Sequence, residues 1–382
     1  MRGKRFILGG LGLACVSASL SMPLAQPAPE AWKEPQDTST ALFEPDRYAW
    51  RLFVALNWPA DMAKRAADPA KKFGADGSVV WESWRSVHPQ APDTVFPPDG
   101  SDPGPWLGGA GPAVAEERQR FIPVLAKQDA FAEFRQRRTK AAPAPSFEGG
   151  AGNEIRLNSS SHEFIRTAKL FNVEGQIAHF TAGEQNLNFP ANAKLIKARW
   201  RTINASDKPR YHWAEITRNG TTEVWGLTAL HIITKDLPNW FWATFEHIDT
   251  KPPNAISPGW QLPSVDRLAC PSPPHGCEQA PTGLGLQGTK WEHYRLRGSQ
   301  VDFVTSTGVP TTVSNSQLEA IQNSSCMTCH SMATIDGEGR NVGFQFAKGP
   351  PQPSLFRDPA GKLLFMQQDF VFSLTRASRV NP

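Results

Sequence analysis

The chain has 382 residues, 40% apolar and 20% charged, with a formal net charge of +4. Arg2, Lys4 and Arg5 supply three of those charges and no acid precedes residue 26, so the rest of the chain carries about +1. That near-neutral balance argues against a general nucleic-acid binder, and the length is enough for two or three packed units.

Three of the first five residues are basic, and an apolar run follows from residue 6 to about 20. Ser21-Met22-Pro23-Leu24-Ala25 then offers small residues and a cut after Ala25. This is the pattern of a secretory signal peptide over residues 1–25, and it places the chain in the periplasm. A lipoprotein cut before Cys15 competes, although Gly12-Leu13-Ala14 is a poor recognition sequence for it. The run is too short and too rich in Gly and Ser for a permanent span, and no later stretch is apolar enough to cross a bilayer.

Residues 26–152 read as a helical and irregular N-terminal region. Residues 46–56 carry a broad apolar helical stripe that Pro59 closes. Residues 89–115 are dense in Pro, Gly and Asp and read as a loop. Residues 115–138 repeat Phe121, Leu125, Phe131 and Phe134 at helical spacing, with Pro123 as a breaker. Residues 140–152 read as a linker.

From about residue 153 to 310 the period changes to two. Strands are predicted over residues 175–181, 193–203, 211–218, 222–234 and 240–248, with another over 291–303. His179, His231 and His247 fall in these strands. His231 is placed on a face with Trp225, Leu227 and Ala229, and His247 with Phe241 and Phe245. Each is a candidate distal haem ligand, a member of a copper site, or a core histidine. No Gly-rich phosphate loop follows a strand, so the layout is antiparallel rather than dinucleotide-binding. Cys270 and Cys277 flank a Pro-rich loop, and in an exported chain they suggest a disulfide. The fold class is thus α+β: an antiparallel β-rich central domain, a helical and irregular N-terminal region, and a C-terminal segment over 311–382.

That last segment holds Cys326-Met327-Thr328-Cys329-His330. It reads C-x-x-C-H, the attachment pattern for a c-type haem. Two thiols add across the haem vinyl groups, and the histidine directly after the second binds iron. A zinc site would need a second ligand pair, and none stands nearby. A thioredoxin-like pair would need a βαβ setting, whereas Gly- and Pro-rich loop follows here. A short helix delivering the motif is suggested by Ser316-Gln317-Leu318-Glu319, a capping-box pattern. Residues 337–353 read as irregular, and residues 367–377 as a helix or a strand. The expected cofactor is one covalent haem c, held by Cys326 and Cys329 with His330 as proximal iron ligand. Met366, in L-L-F-M-Q-Q-D-F, is the sterically easy candidate for the distal ligand; its other reading is a core methionine.

The motif makes the chain resemble a c-type cytochrome. A second, partial likeness covers about residues 154–382. Its carriers are Phe189-Pro190-Ala191-Asn192-Ala193-Lys194-Leu195-Ile196-Lys197, upstream of a late C-x-x-C-H, and Asp369-Phe370-Val371-Phe372-Ser373 beyond it. This order is similar to the β-sheet haem c family that includes lysine-cross-linked hydroxylamine-oxidising cytochromes and cytochrome c-prime-beta. Asn192 stands where that family has a glycine, and this chain is far longer. The resemblance implies an apolar pocket facing an open iron and matches Lys197 to the family's lysine; the cross-link and the hydroxylamine activity are not carried over.

Three functions follow as expectations. The first is an exported monohaem cytochrome that passes single electrons to a redox partner protein. The second is a five-coordinate haem oxidoreductase or gas-binding protein acting on small nitrogen or peroxide species. The third is a β-sandwich that binds a carbohydrate or aromatic ligand, with the haem as accessory; the 13 tryptophans motivate it, although an aromatic-rich core is the commoner explanation for them.

Overall fold

In the computed structural model, which describes residues 30–86, 96–106, 151–218, 220–250, 265–273, 275, 278–313, 315–317, 325–343 and 348–380, one antiparallel sheet carries the chain. The leader, the helix of 115–138, the linker up to residue 150, Cys277 of the expected disulfide and the Leu318-Glu319 half of the capping box lie outside these residues.

Pro45 occupies the first turn of helix α2 (Pro45–Leu56), where its missing N–H costs nothing, and Asp46 beside it suits the positive helix end. Helix α1 (Thr40–Phe43) leads directly into it. Strands β1 (Ala60–Asp61) and β2 (Ala66–Ala67) make a small hairpin. The main sheet then takes β3 (Arg85–Ser86), β4 (Ala151–Leu157), β5 (Lys194–Thr202), β6 (Trp213–Arg218), β7 (Thr221–Thr234), β8 (Phe241–His247) and β9 (Tyr294–Gln300). Their order is β3-β4-β5-β7-β8-β9, with β6 paired to the first half of β7. Helices α3 (Ser159–Thr167) and α4 (Val173–Thr181) sit between β4 and β5 in the chain. Helix α5 (Cys326–His330) is followed by β10 (Thr334–Ile335), which pairs with β11 (Met366–Gln367). The fold is α+β.

Residues 175–181 form part of α4, not a strand. Asn172 caps the helix by accepting the Gly175 N–H at 2.8 Å, and Glu174 stands in the first turn. Gly175 itself is required by close approach, since a Cβ there would lie 1.8 Å from the Lys169 carbonyl oxygen. Residues 290–293 make a 3-10 turn, so the strand predicted over 291–303 shortens to β9.

The sheet has two differently covered faces. On one, Ile196, Ala198, Trp200, Leu230, Ile232 and Phe245 share an apolar cluster with the buried side chains of α2. Trp50, Trp81, Trp200, Trp225 and Trp291 are fully buried in this core. Each removes on the order of 200 Å² from water, worth on the order of 5 kcal/mol by area. Helix α2 is also anchored by polar bonds: Tyr48 Oη to Asp236 at 2.7 Å, Trp50 Nε1 to Asp266 at 2.8 Å, and Ser299 Oγ to Asp46 at 2.5 Å. On the other face, Leu195, Ile233 and Trp242 meet Ile165, Leu170 and the C-terminal residues Met327, Ile335, Met366 and Leu374.

The register of strand β7 slips, which reverses the alternation of its side chains between the two faces. Arg199 lies opposite Ala229, but Trp200 lies opposite Leu227, so Thr228 is an extra residue. The expected grouping of His231 with Trp225 and Leu227 is therefore corrected. Trp225 and Leu227 face α2, and His231 faces away with Ala229.

Candidate functional site

Spacings of three and four residues bring Cys326, Cys329 and His330 onto one side of α5. All three are half-buried, while Met327 and Thr328 between them are fully buried. The helix is fixed at its start by Ser325, whose Oγ accepts the Thr328 N–H at 3.2 Å. Gln300, the last residue of β9, donates to Ser325 Oγ at 2.9 Å and accepts the Met327 N–H at 3.1 Å. Thr328 Oγ1 donates to the Gly349 carbonyl at 2.7 Å. The motif is thus bolted to the end of the sheet by its buried side, and its three chemical groups are left on the other.

Neither Cys326 nor Cys329 is in a disulfide. The Cys326 thiol lies 3.8 Å from the Val313 carbonyl, and Val313 also lines a groove of about 530 Å³ with Arg297, Gly298 and Ser299. His330 Nδ1 lies 2.9 Å from the Phe370 carbonyl oxygen. A carbonyl only accepts, so Nδ1 carries the proton and Nε2 is the ring nitrogen through which a metal could be bound. The ring is braced by Trp242, at 4.6 Å between centroids, and by Phe372 at 5.9 Å. Two thiols and an imidazole held through Nδ1 are the donor set that a covalent haem requires. The residues fit the group.

The Phe370 carbonyl hangs on an unusual turn. Asp369 (φ 47°) and Phe370 (φ 64°) both adopt left-handed backbone, as does Trp240 (φ 61°). For bulky side chains such conformations cost on the order of 1–3 kcal/mol each, and they persist only where the surroundings hold them. Here the Asp369 carboxylate does so. Its Oδ1 accepts from Lys235 Nζ at 2.6 Å and from Trp240 Nε1 at 3.2 Å, and its Oδ2 accepts the Phe189 N–H at 2.7 Å. Burial pushes this carboxyl above the usual range, opposed by the bonds from Lys235 and Phe189. Lys235, Trp240, Asp369 and the Phe370 carbonyl were not singled out as site residues from the sequence. The one available signal was the Asp369-Phe370-Val371-Phe372-Ser373 stretch, marked by resemblance and without a role.

Met366 is fully buried on β11, opposite Ile335, in the apolar cluster of Met327, Leu187 and Trp240 against which Cys326 also packs. Met332 is also buried, with Val342 and Phe356. His179 lies on α4, where Nδ1 meets Glu184 at 2.7 Å and Nε2 meets the Ala168 carbonyl at 2.8 Å. Burial pulls its pKa down, but these two partners outweigh that and leave it raised. His247 is fully buried, stacked on Tyr211 at 3.6 Å and bonded to the Arg210 carbonyl. His231 stands across from Lys197 on one side and Thr244 on the other. Lys197 is half-buried in β5. Among the described residues no group of three or more His, Cys, Asp or Glu is placed to hold a metal ion, and no helix is long and apolar enough to cross a membrane.

No family model, curated protein or solved structure matches the chain.

Proposed function

We propose that this chain is an exported monohaem c-type cytochrome that passes single electrons to a redox partner protein. The observation that carries the reading is the shared flank of Cys326, Cys329 and His330, with the histidine proton drawn to the Phe370 carbonyl. Cys326 and Cys329 would hold the haem through thioether links, and His330 Nε2 would bind its iron. A haem so attached supplies one reversible iron couple. The chain's own part is to keep Nδ1 protonated, to hold the ring against Trp242 and Phe372, and to shield that side from water.

A second reading is favoured by one observation. Met327, Met332 and Met366 are all packed in apolar clusters at 0–1% exposure, which favours the core reading of Met366. That supports an iron with an open sixth position, acting on a small nitrogen or peroxide species. The buried tryptophans, by contrast, support an aromatic core over a sugar-binding surface.

One experiment separates these readings. The mature protein, made with haem-attachment machinery, is weighed and its visible and paramagnetic resonance spectra are recorded beside those of Met366→Ala. One haem mass, with low-spin ferric iron and a methionine charge-transfer band that Met366→Ala abolishes, supports the carrier with Met366 as ligand. One haem mass with high-spin iron that takes up carbon monoxide supports the second reading. No mass increment removes both.

A further inference from the structure

Asp369 and Lys235 form an ion pair that the proposed electron transfer does not by itself require. Both are buried, Asp369 at 2% and Lys235 at 9% exposure, and Lys235 is further fixed by the Pro238 carbonyl at 2.8 Å. A pair this deep recovers little net stability, because desolvating two charges offsets most of their attraction. Its geometric effect is larger. The carboxylate ties the two ends of the β7–β8 turn and the backbone of Phe189 to one point, and the next residue along is Phe370, whose carbonyl accepts the hydrogen bond from His330 Nδ1. The left-handed backbone at both Asp369 and Phe370 aims that carbonyl inward.

We propose that Asp369, anchored by Lys235, is a positioning residue for His330: it holds the Phe370 carbonyl in place, fixes the imidazole as the Nδ1–H tautomer and strengthens Nε2 as an iron donor. The tautomer half stands on the chain alone. The donor half rests on the haem reading above.

The test has two arms on the full chain. In the first, protein made without haem attachment and labelled with ¹⁵N-histidine is read by long-range proton–nitrogen correlation. The parent chain shows His330 as Nδ1–H, and Asp369→Asn and Lys235→Met move it toward Nε2–H. Trp240→Phe, which keeps the ion pair and removes one bond to it, moves it less and guards against loss of fold in the other two. Unchanged Nδ1–H in all three variants overturns the proposal. In the second arm the haem-loaded variants are titrated for reduction potential. Asp369→Asn removes a negative charge and Lys235→Met a positive one, so simple electrostatics shifts them in opposite directions. A lost clamp weakens the donor in both, and both potentials rise. Opposite shifts overturn the donor half. A parent protein that carries no haem defeats the function proposed above and leaves the first arm decisive for the clamp.

Discussion

At the scale of single residues, burial decides what each ionisable group does. His247 has no exposed surface, and burial lowers its pKa to about 4, against 6.5 for the unperturbed side chain. Because the folded value is the lower one, the unfolded chain binds the proton first as pH falls. The contribution is complete above pH 6.5 and is lost as pH falls toward 4, by roughly 3 kcal/mol at full extent. Thermal melts between pH 7 and 4 are expected to fall more steeply for the native chain than for His247→Gln. Equal slopes would place the pH sensitivity elsewhere. The same scale shows where sequence reading stops. The chemistry of Cys326, Cys329 and His330 is legible because residue type and spacing alone state it. The partner of His330 Nδ1 is a main-chain oxygen 40 residues away, and no side-chain pattern encodes that.

At the scale of elements, caps and register outrank hydrophobic period. Strands β5, β7 and β8 are legible because their apolar residues run unbroken or alternate cleanly over seven residues or more. The segment of α4 is not, since Gly175-Gln176-Ile177-Ala178 alternates well enough to mimic a strand. The deciding signal lies three residues before the pattern, at Asn172. Its Oδ1 caps the Gly175 N–H and its Nδ2 donates to the Gly100 carbonyl at 2.8 Å. Asn172→Ala removes both bonds, and an unfolding free energy lower by about 2 kcal/mol is expected from denaturant titration. A loss below about 0.3 kcal/mol would mean that packing alone holds α4. Helix α2 was legible from its stripe and its proline, and it forms one residue earlier than the stripe begins.

At the scale of the whole molecule, the two large apolar clusters of the described residues lie on opposite faces of one sheet, and it is the second that Cys326 packs against. The compartment under α2 holds five of the fully buried tryptophans and draws nothing from residues beyond 301. The sheet should therefore fold before and without haem. A Cys326→Ala, Cys329→Ala chain is expected to keep its far-ultraviolet spectrum and a cooperative melt. Amide exchange in β5, β7 and β8 should stay as slow as in the loaded protein, while residues 325–335 and 366–376 exchange about tenfold faster or more. A double variant that melts without cooperativity would show that the prosthetic group nucleates the fold. Sequence reading anticipated the α+β class. It did not anticipate that strand Arg85–Ser86, from the N-terminal region, joins the same sheet, because a two-residue edge strand leaves no periodic trace.

The extra residue at Thr228 acts as a phase shifter. Up to Leu227 the strand's indole and leucine side chains point into the compartment that makes the molecule stable; past it, the odd-numbered positions swing to the opposite side, where Ile233 backs Trp242 and the imidazole beyond. A single continuous ribbon thus contributes side chains to the aromatic core under α2 and to the face on which the C-x-x-C-H helix packs.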